Sequence, residues 1–313
     1  MKNYLKLIFG LLAFSLVVFS CDDNDDDGMM QSQKNITTLV GENSNLSLLR
    51  AAVVRAGLAN TLSASGTMTV FAPTNEAFAA AGLGTEAAIN AVPVETLKGI
   101  LMYHVLSQKY AAADIPNGTT ELTTASSAKA YVTKNTRGVY VNGNAMVTTA
   151  DVMASNGVVH VINKVLMPPS QNIVQLAQSN DNLSFLVAAV VRASQGSTNV
   201  AQVLSTTNPL TVFAPTNQAF INAGFATTDA IMAADPATLT SILTYHVIGA
   251  RVFSSDLTEN AMPTTLNGGK VTITLTGGAK VKGNANATAS NITATDILAT
   301  NGVVHVIDQV LLP

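Results

Sequence analysis

The chain has 313 residues, 48% of them apolar and only 11% charged, a length that suits two domains of roughly 140 residues each. That balance excludes an intrinsically disordered chain and a helical repeat rich in Glu and Lys; the abundance of Thr, Val, Asn and Gly points to a β-rich, extracytoplasmic protein. Five of the 19 acidic residues, Asp22, Asp23, Asp25, Asp26 and Asp27, lie in one run. Beyond that run acids and bases balance, which leaves no basic field for nucleic acid or a highly sulfated polysaccharide.

The first residues carry Lys2 and Lys6, then an apolar run from Leu7 to Phe19, then Ser20 and Cys21. This is the layout of a secretory signal, and the run is shorter than the ~20 residues a membrane-spanning helix needs. Cys21 is the only cysteine, so no intramolecular disulfide can form. Val18 to Cys21 resembles a bacterial lipoprotein box, which implies cleavage after residue 20 and a lipid on Cys21. Residues 21–34 then form an acidic tether. An acidic run directly after such a cysteine resembles the export signal of surface-exposed lipoproteins in some diderm bacteria. The expectation is an outer-membrane lipoprotein displayed on the cell surface, with the periplasmic face as the alternative.

The remainder is a tandem repeat, expected to divide into 35–168 and 169–313. Each copy opens with Asn-Leu-Ser leading into an amphipathic helix, in which Leu46, Leu49, Val53 and Val54 mark the inward face of the first copy. Next come Thr69 to Phe78 and Thr211 to Phe220, nearly identical strand-to-helix corners with Thr74 placed as a helix cap. A Pro-started helix follows at Pro93 and Pro236 and runs into Tyr103-His104 and Tyr245-His246. Turn signals at Asn142-Gly143, Gly268-Gly269 and Gly277-Gly278 predict antiparallel hairpins. Each copy closes on Asn-Gly-Val-Val-His-Val-Ile, at 156–162 and 301–307. Its apolar residues fall on both sides of a strand, predicting burial on both faces. The joint is Pro168-Pro169-Ser170-Gln171, stiff enough to restrict domain orientation.

The pairing of Thr-Val-Phe-Ala-Pro-Thr-Asn with Asn-Gly-Val-Val-His-Val-Ile, with Tyr-His between them, resembles the fasciclin (FAS1) domain, here twice. The resemblance implies an α+β fold: two domains, each a β-sandwich or wedge of about seven strands with helices packed at one side. It implies adhesion as the usual role. In animal matrix members partner binding is assigned to an Asp-Ile pair before the last motif and to the Tyr-His region. The matching positions are Asp296-Ile297, Tyr245 and His246 in the second copy and Asp151, Tyr103 and His104 in the first, where Val152 replaces Ile.

The histidines number two per copy and no usable cysteine accompanies them, which is too few ligands for zinc. A neutral core histidine is expected at His160 and His305, and Asp151 and Asp296 have the setting of turn residues that bond their own backbone. The first copy alone places Lys129, Lys134, Arg137, Tyr131 and Tyr140 in one hairpin. Tyr and Arg are enriched in interfaces, so Tyr131, Arg137 and Tyr140 are candidates for a contact that the second copy lacks. No hydrolase elbow, metalloprotease, phosphate-loop or dinucleotide motif is present. The chain is therefore expected to be a non-catalytic adhesion protein without cofactor or metal, binding a protein or glycan on another cell or in the matrix. A glycan-capture lipoprotein serving uptake is the alternative. A ligand carrier or enzyme using a cleft near Tyr-His is the weaker one.

Overall fold

The computed structural model describes residues 33–313, so the leader, Cys21 and the acidic run lie outside the described residues. Repeat one begins with helices α1 (Ile36–Glu42), α2 (Ser47–Arg55) and α3 (Ala59–Ser63). Asn35 caps α1 by accepting from the Thr38 N–H at 2.9 Å, and Asn43 caps the 3-10 turn that precedes α2. Because that turn takes up Leu46 and α2 starts at Ser47, its inward face is Leu49, Ala52 and Val53. Val54, expected inward, is 66% exposed.

Strand β1 (Met68–Pro73) stops at its proline, and Thr74 caps α4 (Asn75–Ala80) by accepting from the Ala77 N–H. Helices α5 (Glu86–Ala91) and α6 (Val94–Tyr103) complete the helical layer. The remaining strands are β2 (Val105–Leu106), β3 (Gly118–Thr123), β4 (Lys129–Asn135), β5 (Gly138–Val141), β6 (Ala145–Ala154) and β7 (Gly157–Ile162).

Repeat two follows the same order. Its helices are α7 (Ile173–Gln178), α8 (Ser184–Ala193) and α9 (Val200–Thr206), then, after β8 (Leu210–Pro215), α10 (Asn217–Asn222), α11 (Thr228–Ala233) and α12 (Pro236–Tyr245). Strands β9 (Val247–Ile248), β10 (Thr272–Thr274), β11 (Lys280–Lys282), β12 (Ser290–Ala299) and β13 (Gly302–Ile307) close it.

The first sheet runs β2-β1-β7-β6-β5-β4-β3 and the second β10-β11-β12-β13-β8-β9. Repeat two thus has six strands rather than about seven, because the counterpart of β3 is reduced to isolated bridges such as Thr264 to Lys270. In each sheet the closing motif lies parallel to the strand of the first motif, β7 on β1 and β13 on β8. A central parallel pair is stable only with both faces covered. Val70, Ala72, Val159 and Val161 face the helices. Phe71 and Ile162 face Tyr103, Val132 and Val141, because bulges in β6 curl the sheet back over itself. All six residues of β7 and of β13 are buried, as their apolar pattern predicts.

The repeats also touch beyond their joint. Tyr131 of repeat one packs with Phe253 and Val303 of repeat two in one buried cluster.

Candidate functional site

The repeated motif residues converge on two bonded units per copy. In the first, His160 on β7 accepts the Asp151 N–H on Nδ1 at 3.2 Å, so Nε2 carries the proton and donates it to the Tyr110 carbonyl at 2.8 Å. The Asp151 carboxylate accepts the Ala112 N–H at 2.8 Å. Repeat two repeats this with His305, Asp296, Val252 and Ser254. Asp296 also accepts the Ser254 hydroxyl. Both aspartates have left-handed backbones, φ 57° and 59°, at the bulges of β6 and β12. Asp tolerates that conformation better than most residues. His and Asp therefore fasten the loop after β2 or β9 onto the sheet. Burial holds His305 below the ordinary imidazole range.

The second unit is Tyr-His. His104 at the end of α6 donates from Nδ1 to the Ile100 carbonyl and accepts the Leu166 N–H on Nε2, both at 2.8 Å. His246 does the same with Ile242 and Leu311. With both nitrogens engaged in a dry site, burial lowers each histidine to about 4. Tyr103 donates to the Lys129 carbonyl and accepts from Asn142 Nδ2 at 3.0 Å, and burial raises its phenol to about 12. Tyr245 donates to the Lys270 carbonyl. Among the described residues no group of three or more His, Cys, Asp or Glu converges as a metal site would.

The hairpin of β4 and β5 packs against repeat two. Tyr131, a candidate for partner contact, is 9% exposed. Its ring lies 5.5 Å from that of Phe253, and the Arg251 guanidinium sits 4.4 Å from its centroid. Arg137 donates to the carbonyls of Ser254, Ser255 and Leu257. Asp256 of repeat two accepts from Thr119 at 2.7 Å and Thr133 at 3.2 Å. Tyr140 stays in repeat one, donating to the Arg137 carbonyl. Asp296 is buried beside this junction, where a Cβ on Gly143 of repeat one would come within 2.6 Å of its carboxyl carbon. Asp151 and Val152 in repeat one are only half-buried, and Ile297 likewise.

A fasciclin-domain profile matches residues 44–168 and 182–313. The chain belongs to the fasciclin family. It is 28% identical over 249 residues to the transforming growth factor-beta-induced protein ig-h3 of Oryctolagus cuniculus, covering 79% of this chain and 35% of that one. It is 43% identical over 139 residues to protein sll1483 of Synechocystis sp., covering 44% of this chain and 76% of that one. A solved FAS1 domain pair from the insect cell adhesion molecule Fasciclin I matches 87% of this chain and 98% of that one, at 19% identity and TM-score 0.41. This fasciclin chain thus spans about a third of the length of the ig-h3 protein.

Sequence reasoning missed the roles of three groups in the two fasciclin domains, although it placed Lys134 in the basic hairpin. Asn156 and Asn301, first residues of the closing motif, each bond three backbone groups of the helical layer: Asn156 accepts from Ile36 and donates to Leu62 and Ala64. Their repetition was the available signal. Lys134 donates to the Ala112 and Ile115 carbonyls. Arg251, Phe253 and Asp256 form the junction face of repeat two. Arg251 and Phe253 stand where repeat one has Lys109 and Ala111, while Asp256 matches Asp114.

Proposed function

We propose that this fasciclin-family chain is a non-catalytic adhesion protein, held at the cell surface by a lipid on Cys21 and binding a protein on another cell or in the matrix. The observation that carries the reading is the use made of the motif side chains. All four histidines have both ring nitrogens bonded to backbone. A general base or metal ligand needs a nitrogen free to meet its substrate, whereas a rigid binding scaffold needs such anchoring. Family membership supports the same role.

Of the motif positions, Asp151 and Val152 are the favoured contact, because Asp296 is buried at the junction with repeat one. Tyr103, His104, Tyr245 and His246 act by supporting the fold.

Cell-binding assays with the full chain on beads test this. Val152→Lys is expected to reduce adhesion severalfold, beyond the effect of Val152→Ala, which removes the same packing against the core. Saturable binding on a glycan array that free sugar competes away would replace protein adhesion with glycan capture. Loss of surface labelling on intact cells in Cys21→Ser tests the anchor. Adhesion untouched by Val152→Lys would move the contact elsewhere.

A further inference from the structure

The loops that follow Tyr-His in the two repeats are the same structure built twice. The Ala111 N–H donates to Asp114 Oδ2 in one, and the Phe253 N–H donates to Asp256 Oδ2 in the other. The Ala112 N–H donates to Asp151, and the Ser254 N–H to Asp296. Residues 109–115 therefore correspond to 251–257.

Each loop turns backbone carbonyls toward a single cation. In repeat one these are the carbonyls of Ala112 and Ile115, held by Lys134 Nζ at 2.7 and 3.0 Å. In repeat two they are those of Ser254, Ser255 and Leu257, held by Arg137 Nη2. Ala112 and Ile115 correspond to Ser254 and Leu257. Both cations come from the same β4–β5 hairpin of repeat one. The position in repeat two that corresponds to Lys134 is Leu275, since Ala130 and Val132 align with the equally buried Val271 and Ile273. Repeat two thus has no cation of its own at that place.

We propose that Arg137 is the missing cap of repeat two, supplied by repeat one, and that the loop Phe253–Leu257 is a docking surface for a guanidinium-bearing hairpin. Converging carbonyl dipoles create a negative pocket, and a planar guanidinium meets several of them at once. The neighbouring bonds fit that role. Asn135 Nδ2 donates to the Ser255 carbonyl at 2.8 Å, and Asp256 Oδ1 receives the hydroxyls of Thr119 and Thr133. The ordering of repeat two's loop, and of Asp296 that it holds, is thereby coupled to repeat one.

Two variants on one hairpin, compared by amide hydrogen exchange in the full chain, test the assignment. Arg137→Gln is expected to speed exchange of the Phe253, Ser254 and Asp256 amides about tenfold or more, the scale of a bond to a charged group, while leaving Ala111, Ala112 and Asp114 unchanged. Lys134→Gln should do the reverse. Arg137→Lys should recover part of the protection. Unchanged exchange at 253–257 in Arg137→Gln, or equal acceleration of both loops in either variant, would overturn the proposal.

Discussion

Replacing Asn156 by Ala removes a side chain that is 3% exposed and joins three segments distant in sequence. Its Oδ1 accepts the Ile36 N–H at 3.0 Å at the start of α1, and its Nδ2 donates to the Leu62 and Ala64 carbonyls at 2.9 and 2.8 Å. Ile36 is 0% exposed. Three bonds at about 1 kcal/mol net each, with at least one donor left buried and unsatisfied, give an expected loss of about 3–5 kcal/mol. Asn301 is an internal replicate, accepting from Ile173 and donating to Leu204 and Thr207. Urea titrations of Asn156→Ala and Asn301→Ala, followed by far-UV circular dichroism because the chain has no Trp, should both show lowered midpoints with the slope unchanged. A loss below about 1 kcal/mol in both would refute the reasoning, since it would mean the exposed backbone groups find other partners without cost.

Acid should destabilise the fold well before carboxylates titrate. His104 and His246 are held near 4 in the folded chain against 6.5 when free. Their neutral form favours folding fully above pH 6.5, and that contribution falls as pH drops toward 4, by about 2–3 kcal/mol per histidine near pH 4.5; urea midpoints that stay flat from pH 7 to 4.5 would contradict it. Gly157→Ala would drive a Cβ into the Met68 carbonyl oxygen at a residue with φ 156°. We expect loss of about 3 kcal/mol or more, or no folded protein, measured as soluble yield and urea midpoint. A double-mutant cycle of Tyr131→Leu with Arg251→Gln should give a coupling of about 0.5–2 kcal/mol across the junction, and zero coupling would remove the cation–π contact as a contributor.

Much of the fold was legible because its signals are local. The pattern of Val158 to Ile162 predicts a strand buried on both faces, and β7 is one. Thr74 reads as a cap from its place after Pro73, and it caps α4. The duplication is written in the chain itself, as two copies of each motif. Val54 was misplaced because a 3-10 turn sets where α2 begins, and that turn is held by Asn43 rather than by helical periodicity. What the sequence could not decide was where Tyr131 and Arg137 point. Their types mark an interface, but whether the other side is a foreign partner or the neighbouring repeat depends on the loop at 251–257, more than a hundred residues away. Likewise Asp151 and Asp296 are equivalent in sequence, and only the docking of Gly143 against Asp296 makes one buried and leaves the other half-open. Periodicity and capping are properties of neighbouring residues, so the chain itself determined the strands, the helix starts and the duplication. Which surface faces the other repeat is a property of the packed pair, and the tertiary structure alone decided it.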